Sequence, residues 1–275
     1  MDKQSSRRWR GRVALTASLL LVAVVVLAWF LPARWALPWL TPRLHGLRLA
    51  QVSGLVWQGR AGEVRLADGR LLGTASWQVS RRVLWSPQPL HLQLRGPQLA
   101  LEASALKAGE DVIWEGVHLR ADLALWRPRR APSLGLPRGE WTMQIDRAQL
   151  QAGWPMQAAW HARWRDATLL TRVGTVALGT FDVSGSARAG VIDARLDDDG
   201  DSPLQATGNL RLTPLGWRLQ ARLRARSADP VLHRWLATLG KPDADGTVHL
   251  QRVGGLAAPA APASVTLAAT TKGTP

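Results

Sequence analysis

From residue 90 onward apolar and polar residues exchange places at almost every step, and a period of two restricts a chain to half-buried strands. Leu90, Leu92 and Leu94 alternate with His91, Gln93 and Arg95; Gly96 and Pro97 interrupt, and Leu99, Leu101 and Ala103 resume. Leu119, Ala121, Leu123 and Leu125 repeat the pattern. Met156, Ala158, Trp160, Ala162 and Trp164 form its longest row, opposed by Gln157, His161, Arg163 and Arg165. Further on, Leu204, Ala206, Gly208, Leu210 and Leu212 share one strand face, and Trp217, Leu219, Ala221, Leu223 and Ala225 another. Short polar turns between such runs predict a mainly β fold: a curved, largely antiparallel sheet with one apolar face. The exception is SADPVLHRWLATLGKP, residues 227–242. Ser227 or Asp229 can cap it, Pro230 suits a first turn, and Val231, Leu232, Trp235, Leu236 and Leu239 share a stripe that Gly240 and Pro242 end. One short C-terminal amphipathic helix packed on the sheet is expected.

Upstream, GLVWQGRAGEVRLADGRLLGTASW, residues 54–77, reads as strand, tight turn, strand, turn, strand, entered through Val52 and continuing through Val56, Val64, Leu66 and Leu71. Its glycines permit positive φ or close backbone approach, while Trp57 and Trp77 supply bulk for a core. DDDGD, residues 197–201, joins two alternating runs. It lacks the spacing and distal glutamate of an EF-hand loop, so a solvated hairpin turn is expected. WRPRRAPSLGLPRG, residues 126–139, is the best place for a loop or subdomain boundary; one sheet across residues 48–255 and a break here both remain open.

Before the strands lies VALTASLLLVAVVVLAWFL, residues 13–31, without a charge. As a helix it would reach about 28 Å, close to the ~30 Å hydrocarbon core of a bilayer. Lys3, Arg7, Arg8, Arg10 and Arg12 precede it against the single acid Asp2, a bias that keeps a terminus cytoplasmic. Trp29, Trp35 and Trp39 follow at headgroup depth. A cleaved signal peptide has an apolar core of about 7–15 residues and a small-residue cleavage site; this run is longer and LPARWALPWL follows. The expected organisation is a cytoplasmic basic segment at 1–12, an uncleaved transmembrane signal anchor at 13–31, an interfacial linker at 32–47, a β-rich domain at 48–255 in the compartment opposite the cytoplasm, and a disordered Ala/Pro/Thr tail at 256–275.

Little in the chain points to chemistry. With no cysteine there is neither a disulfide framework nor thiolate chemistry. The six histidines, His45, His91, His118, His161, His233 and His249, are scattered, none in an H-E-x-x-H pair. There is no G-x-S-x-G elbow and no S-x-x-K, and GRAG around Arg60 lacks the rest of a phosphate loop. Glu110, Asp111 and Glu115 are near in sequence, which fits a solvated turn better than an acid–base pair. The charge of +15 is carried by arginines spread along the chain, so even WHARWR at 160–165 does not make a nucleic-acid strip; anionic headgroups near the anchor fit that charge better. No catalytic, cofactor-binding or metal-binding residue is expected, and no enzyme.

Four stretches carry a resemblance: SGLVWQGRAGEV at 53–64, LLGTASWQVSRRVLW at 71–85, GWPMQAAWHARWRDA at 153–167 and LHRWLATLGKPDADGTVHL at 232–250. Together with one N-terminal anchor they resemble protein N of the type II secretion system, the general secretion pathway protein N family, over about residues 8–255. Gly54, Trp57, Gly59, Gly62, Gly73, Trp77, Gly153, Trp164, Gly240 and Gly246 are the positions on which it rests. The resemblance implies a bitopic accessory subunit of the bacterial inner membrane, its bulk periplasmic, scaffolding the machine that exports folded proteins across the outer membrane. Implied partners are the other inner-membrane platform subunits, extending to the outer-membrane secretin; the family defines no catalytic residues. A long curved sheet with an apolar face, tethered at that membrane, also resembles the groove architecture of AsmA-like proteins of envelope lipid transport. A wide, unplugged face would hold an acyl chain; a face filled by the late helix and the tryptophans would be an ordinary core.

Overall fold

The computed structural model describes residues 29–40, 46–126, 128 and 134–255. Thirteen strands make one sheet in which each pairs antiparallel with the next and the spatial order is the sequence order. They are β1 (Leu47–Gly54), β2 (Gln58–Leu66), β3 (Leu71–Val79), β4 (Leu90–Arg95), β5 (Leu99–Ala108), β6 (Asp111–Asp122), β7 (Leu136–Gln151), β8 (Trp154–Thr171), β9 (Gly174–Arg188), β10 (Val191–Asp198), β11 (Leu204–Thr213), β12 (Gly216–Ala225) and β13 (Val248–Gly255). The sheet does not break at residues 126–139, because β6 and β7 pair from Asp111↔Gln151 to Asp122↔Glu140. Local chemistry explains the meander. Ala152–Gly153 joins β7 to β8 and Ala189–Gly190 joins β9 to β10, all four residues at positive φ, the two-residue reversal whose twist matches that of the strands it joins.

The alternation is in phase across every strand. One register row runs Val52, Ala61, Ala75, Leu94, Leu101, Leu119, Met143, Ala162, Val183, Leu196, Gly208, Ala221, Leu250, without a polar side chain. The adjacent row, facing the other way, runs Ser53, Arg60, Ser76, Gln93, Glu102, His118, Gln144, His161, Ser184, Arg195, Asn209, Gln220, Gln251, and every member is polar. A one-residue slip anywhere would turn an apolar strand face to water, and this is what fixes the register. The polar face absorbs many arginines in cross-strand ion pairs, among them Arg211–Asp193 and Arg120–Glu140.

Among the described residues two short α-helices flank the sheet. Helix α1 (Ala33–Leu40) lies within the segment expected as a linker and touches β1. Helix α2 (Pro230–Leu239) is the expected amphipathic one; Asp229 caps it, its carboxylate accepting the Val231 N–H at 2.8 Å. Gly240 follows at φ 171°, extended and not left-handed, with Val248 beside it. Helix α2 touches β9, β12 and β13. Strands four places apart would stand ~19 Å from one another in a flat sheet, so the sheet curls around the helix. Leu232, Val176, Val248 and Phe181, each 2% exposed or less, form the core there with Trp235 and Leu236. A second cluster of Ala61, Val64, Leu72 and Ala75 lies near the first edge, with Leu47, Leu94 and Leu125 against it.

A crease crosses the middle strands. Gly139 in β7 faces Asp166 in β8, which takes φ 50°, and the β7–β8 and β8–β9 registers shift there. Such bulges bend a strand and increase its twist. Trp164 pins the crease, donating its indole N–H to the Arg138 carbonyl at 2.9 Å and stacking tilted on Phe181 at 5.9 Å. Beyond it Ala167, Leu169, Val176 and Leu178 turn toward α2, and Trp235 donates to the Leu134 carbonyl at 3.0 Å.

Two expectations are corrected. Leu123 and Leu125 do not extend β6: they form a 3₁₀ turn, because the Asp122 carboxylate takes the Ala124 N–H at 2.8 Å and draws the backbone out of the ladder. Residues 197–201 are not merely a solvated turn. The Asp198 carboxylate is 6% exposed and accepts from Arg226, from the Ala206 N–H and from the Gly200 N–H. Buried Ser202 accepts the Thr180 N–H and donates to Asp199.

No helix among the described residues is long and apolar enough to cross a membrane. The run at 13–31 expected to do so lies outside them except for residues 29–31, as do the basic segment at 1–12 and the tail at 256–275.

Candidate functional site

Thirteen strands at roughly 4.8 Å give the apolar face a length of roughly 58 Å along the sheet. Its cover is uneven. Under α2 the side chains are buried, whereas Leu92, Leu94, Leu101, Leu119, Met143 and Val183 in the middle are only half-buried. Where the two regimes meet, a cavity of about 470 Å³ opens between Trp126, Trp141, Trp164, Leu210, Leu219 and Trp235. Arg195 and Asn209 border it, but both belong to the polar register row and direct their side chains to the opposite face. The site is therefore a hydrocarbon-lined trough.

The sequence signals for acid–base chemistry do not converge. Glu110 sits in a turn, Asp111 accepts from Gln149 at 2.6 Å, and Glu115 faces Arg147. His161 lies exposed in the polar row, and His91 shares a hydrogen bond with Ser104 at 2.7 Å. Among the described residues no group of three or more His, Asp or Glu is placed to hold a metal. The perturbed carboxylates are structural. For Asp198, burial pushes the pKa up, but the hydrogen bonds from Arg226, Ala206 and Gly200 outweigh it and hold the group below the usual carboxylate range. Asp199 is also lowered, first by the Ser202 hydroxyl.

The glycines and tryptophans that carry the resemblance have defined places. Gly54 closes the β1–β2 connection against the Gln58 carbonyl, and the Trp57 carbonyl accepts the Val79 N–H at 2.7 Å. Gly59 lies beneath the ring of its register partner Trp77, whose indole N–H donates to the Val56 carbonyl at 3.0 Å. Gly62 makes room for Gln51, and Gly73 for the Arg95 carbonyl. Gly153 forms the β7–β8 turn, Trp164 the crease, and Gly240 and Gly246 the approach to β13. Trp160 covers Gly185 and Trp217 covers Gly254 in the same manner, again as direct cross-strand partners. A broad indole laid over a cross-strand glycine restores the packing that the glycine lacks. Sequence reasoning treated these tryptophans as core bulk and missed the pairing. The signal was a Trp and a Gly equidistant from a turn, as in Trp160 and Gly185 about the β8–β9 turn.

This architecture meets a family already known. The family model for protein N of the type II secretion system matches residues 45–251, from just before β1 into β13. The chain belongs to the type II secretion system protein N family. The type II secretion system protein N of Klebsiella pneumoniae is 32% identical over 241 residues, 83% of this chain and 91% of that protein. The protein of the same name from Vibrio cholerae is 27% identical over 265 residues, 91% of this chain and all of its own length. No solved structure matches. The matched span takes in β1 to β12, α2 and the first half of β13, so the trough, the crease and the Trp77–Gly59 and Trp160–Gly185 pairs lie within the part that the chain shares with its family.

Proposed function

We propose that the chain is a non-enzymatic scaffold of the type II secretion machinery, held at the inner membrane by residues 13–31 with its N-terminus cytoplasmic and its sheet in the periplasm. A role as a component of that machinery, among its other subunits, follows from the family. The finer reading is supported by one observation, the joint between the expected anchor and the sheet. The Val56 N–H donates to the Leu31 carbonyl at 3.0 Å, Pro32 bridges to Leu55, and the Arg81 guanidinium lies 4.7 Å from the Trp29 ring centre. A chain leaving the bilayer at residue 31 is thus built into the β1–β2 end, and the sheet extends away from it.

Scaffolding by strand addition needs an open edge. Among the described residues β1 and β13 each pair on one side only. The β1 edge is irregular, with Gln51 at φ 54° and α1 alongside, features that discourage pairing. The β12–β13 register runs without a shift from Gly216↔Gly255 to Leu223↔Val248, so β13 is the edge offered to a platform subunit or the secretin. In-cell photo-crosslinking from Gln51, Trp77, Trp126 and Val253 tests this. Adducts with secretion subunits concentrated at Val253 are expected; adducts with no secretion subunit from any position would refute the scaffold role.

A further inference from the structure

We propose that the cavity at the junction of the covered and open sheet seats an acyl chain of a phospholipid drawn from the membrane. For the source of the lipid this rests on the membrane placement proposed above; it does not rest on the scaffold role. The lining selects hydrocarbon. Trp126, Trp141, Trp164, Leu210, Leu219 and Trp235 present carbon to it, Trp164 and Trp235 have their indole N–H groups committed to the Arg138 and Leu134 carbonyls, and the strands below pair with one another. A sugar, a nucleotide or an extended peptide would give up hydrogen bonds to water here with none in return.

An amphipathic helix brings its own hydrogen bonds but does not fit. A helix is ~10 Å across, and Trp235 and Leu239 of α2 already occupy one side of the space it would need. A packing defect is too small an explanation, because voids in protein interiors rarely exceed one water molecule, while ligand sites span ~300–1,000 Å³.

Continuity gives the source. The all-apolar register row leads from Ala221, Gly208 and Leu196 beside the cavity, through Met143, Leu119 and Leu101, to Ala61 and Val52. Those last residues lie on the strands whose connection is bonded to Leu31 and Pro32. The row is apolar throughout, half-open from Leu94 to Met143 and covered at Ala75 and Ala61 by the cluster at the first edge, so a thin, flexible chain entering at that joint would have to part that cluster and would then run over apolar side chains.

The full chain, reconstituted into vesicles of phosphatidylethanolamine and phosphatidylglycerol with a diazirine at the acyl terminus, is irradiated and its adducts mapped by peptide mass spectrometry. Adducts on the segments holding Trp141, Trp164, Leu210 and Leu219 are expected, in addition to those on residues 13–40. Ala194→Phe and Ala221→Leu fill the cavity with apolar bulk and remove nothing. Each should lose the lining adducts while keeping those at 13–40 and the parent thermal midpoint. Adducts confined to residues 13–40, or lining adducts unchanged in both filled variants, would overturn the acyl seat and leave the membrane placement standing. A chain that fails to enter the vesicles would overturn both.

Discussion

The sheet is one object with two interiors. Beneath α2, Val176 and Leu232 are fully buried and Val248 is 1% exposed; two to eight strands away in the chain order, Leu101, Leu119 and Met143 stand half-open on the same face. Both regions carry the same alternation and the same antiparallel ladder. What separates them is a ten-residue helix and the crease that tips the ends of β7, β8 and β9 toward it. Periodicity decides which face of a strand is apolar. Whether that face becomes a core or a trough depends on what lies across from it.

Substitutions can break or sharpen that contrast. Trp235→Ala removes the largest side chain holding α2 and the bond to Leu134, and should cost roughly 3–5 kcal/mol in urea unfolding. Next comes Gly185→Ala, which forces a methyl under the Trp160 ring; overpacking of this kind costs about 1–3 kcal/mol, read from the same curves. Met143→Ala in the open middle should cost only about 1 kcal/mol, since its side chain is only partly withdrawn from water. A Met143 variant as damaging as the Trp235 variant would mean that the middle is a closed core.

The smallest effect is a pH dependence confined to acid. Because the folded-state pKa of Asp198 is depressed, its contribution is present above the unfolded value of about 3.9 and is lost as pH falls through the folded one. Thermal midpoints of the parent should exceed those of Asp198→Asn at neutral pH, and the gap should close as the pH drops below about 4. A gap that does not narrow at all as the pH falls through the acid range would show that the bonds from Ala206 and Gly200, not the charge, carry the effect.

Most of the sheet was legible in the chain because the alternation is local: Leu90 to Leu94 and Leu204 to Leu212 announce their strands without reference to any partner. So does α2, through Asp229, Pro230 and its stripe. The crease was not legible, because it arises where Gly139 and Asp166 meet across two strands, and nothing near either residue states that they do. Nor was the position of α2, which depends on Trp235 reaching Leu134 across 101 residues. Leu123 and Leu125 misled because an alternation of two more residues is indistinguishable from a strand until Asp122 is seen to cap the turn. The trough was the least legible part: the apolar face was plain, and how the described residues cover its ends and not its middle belongs to tertiary structure alone.

The chain contains no cysteine, so single-cysteine variants report one position each. The most direct test is the rate at which a small charged thiol reagent labels Leu119→Cys and Leu101→Cys in the full, delipidated chain. Val176→Cys and Leu232→Cys serve as buried references and His118→Cys as the exposed one. The trough requires labelling at 119 and 101 to approach the rate at 118 while 176 and 232 remain protected. Protection at 119 and 101 equal to that at 176 would contradict it, and the apolar face would then be core from one edge of the sheet to the other.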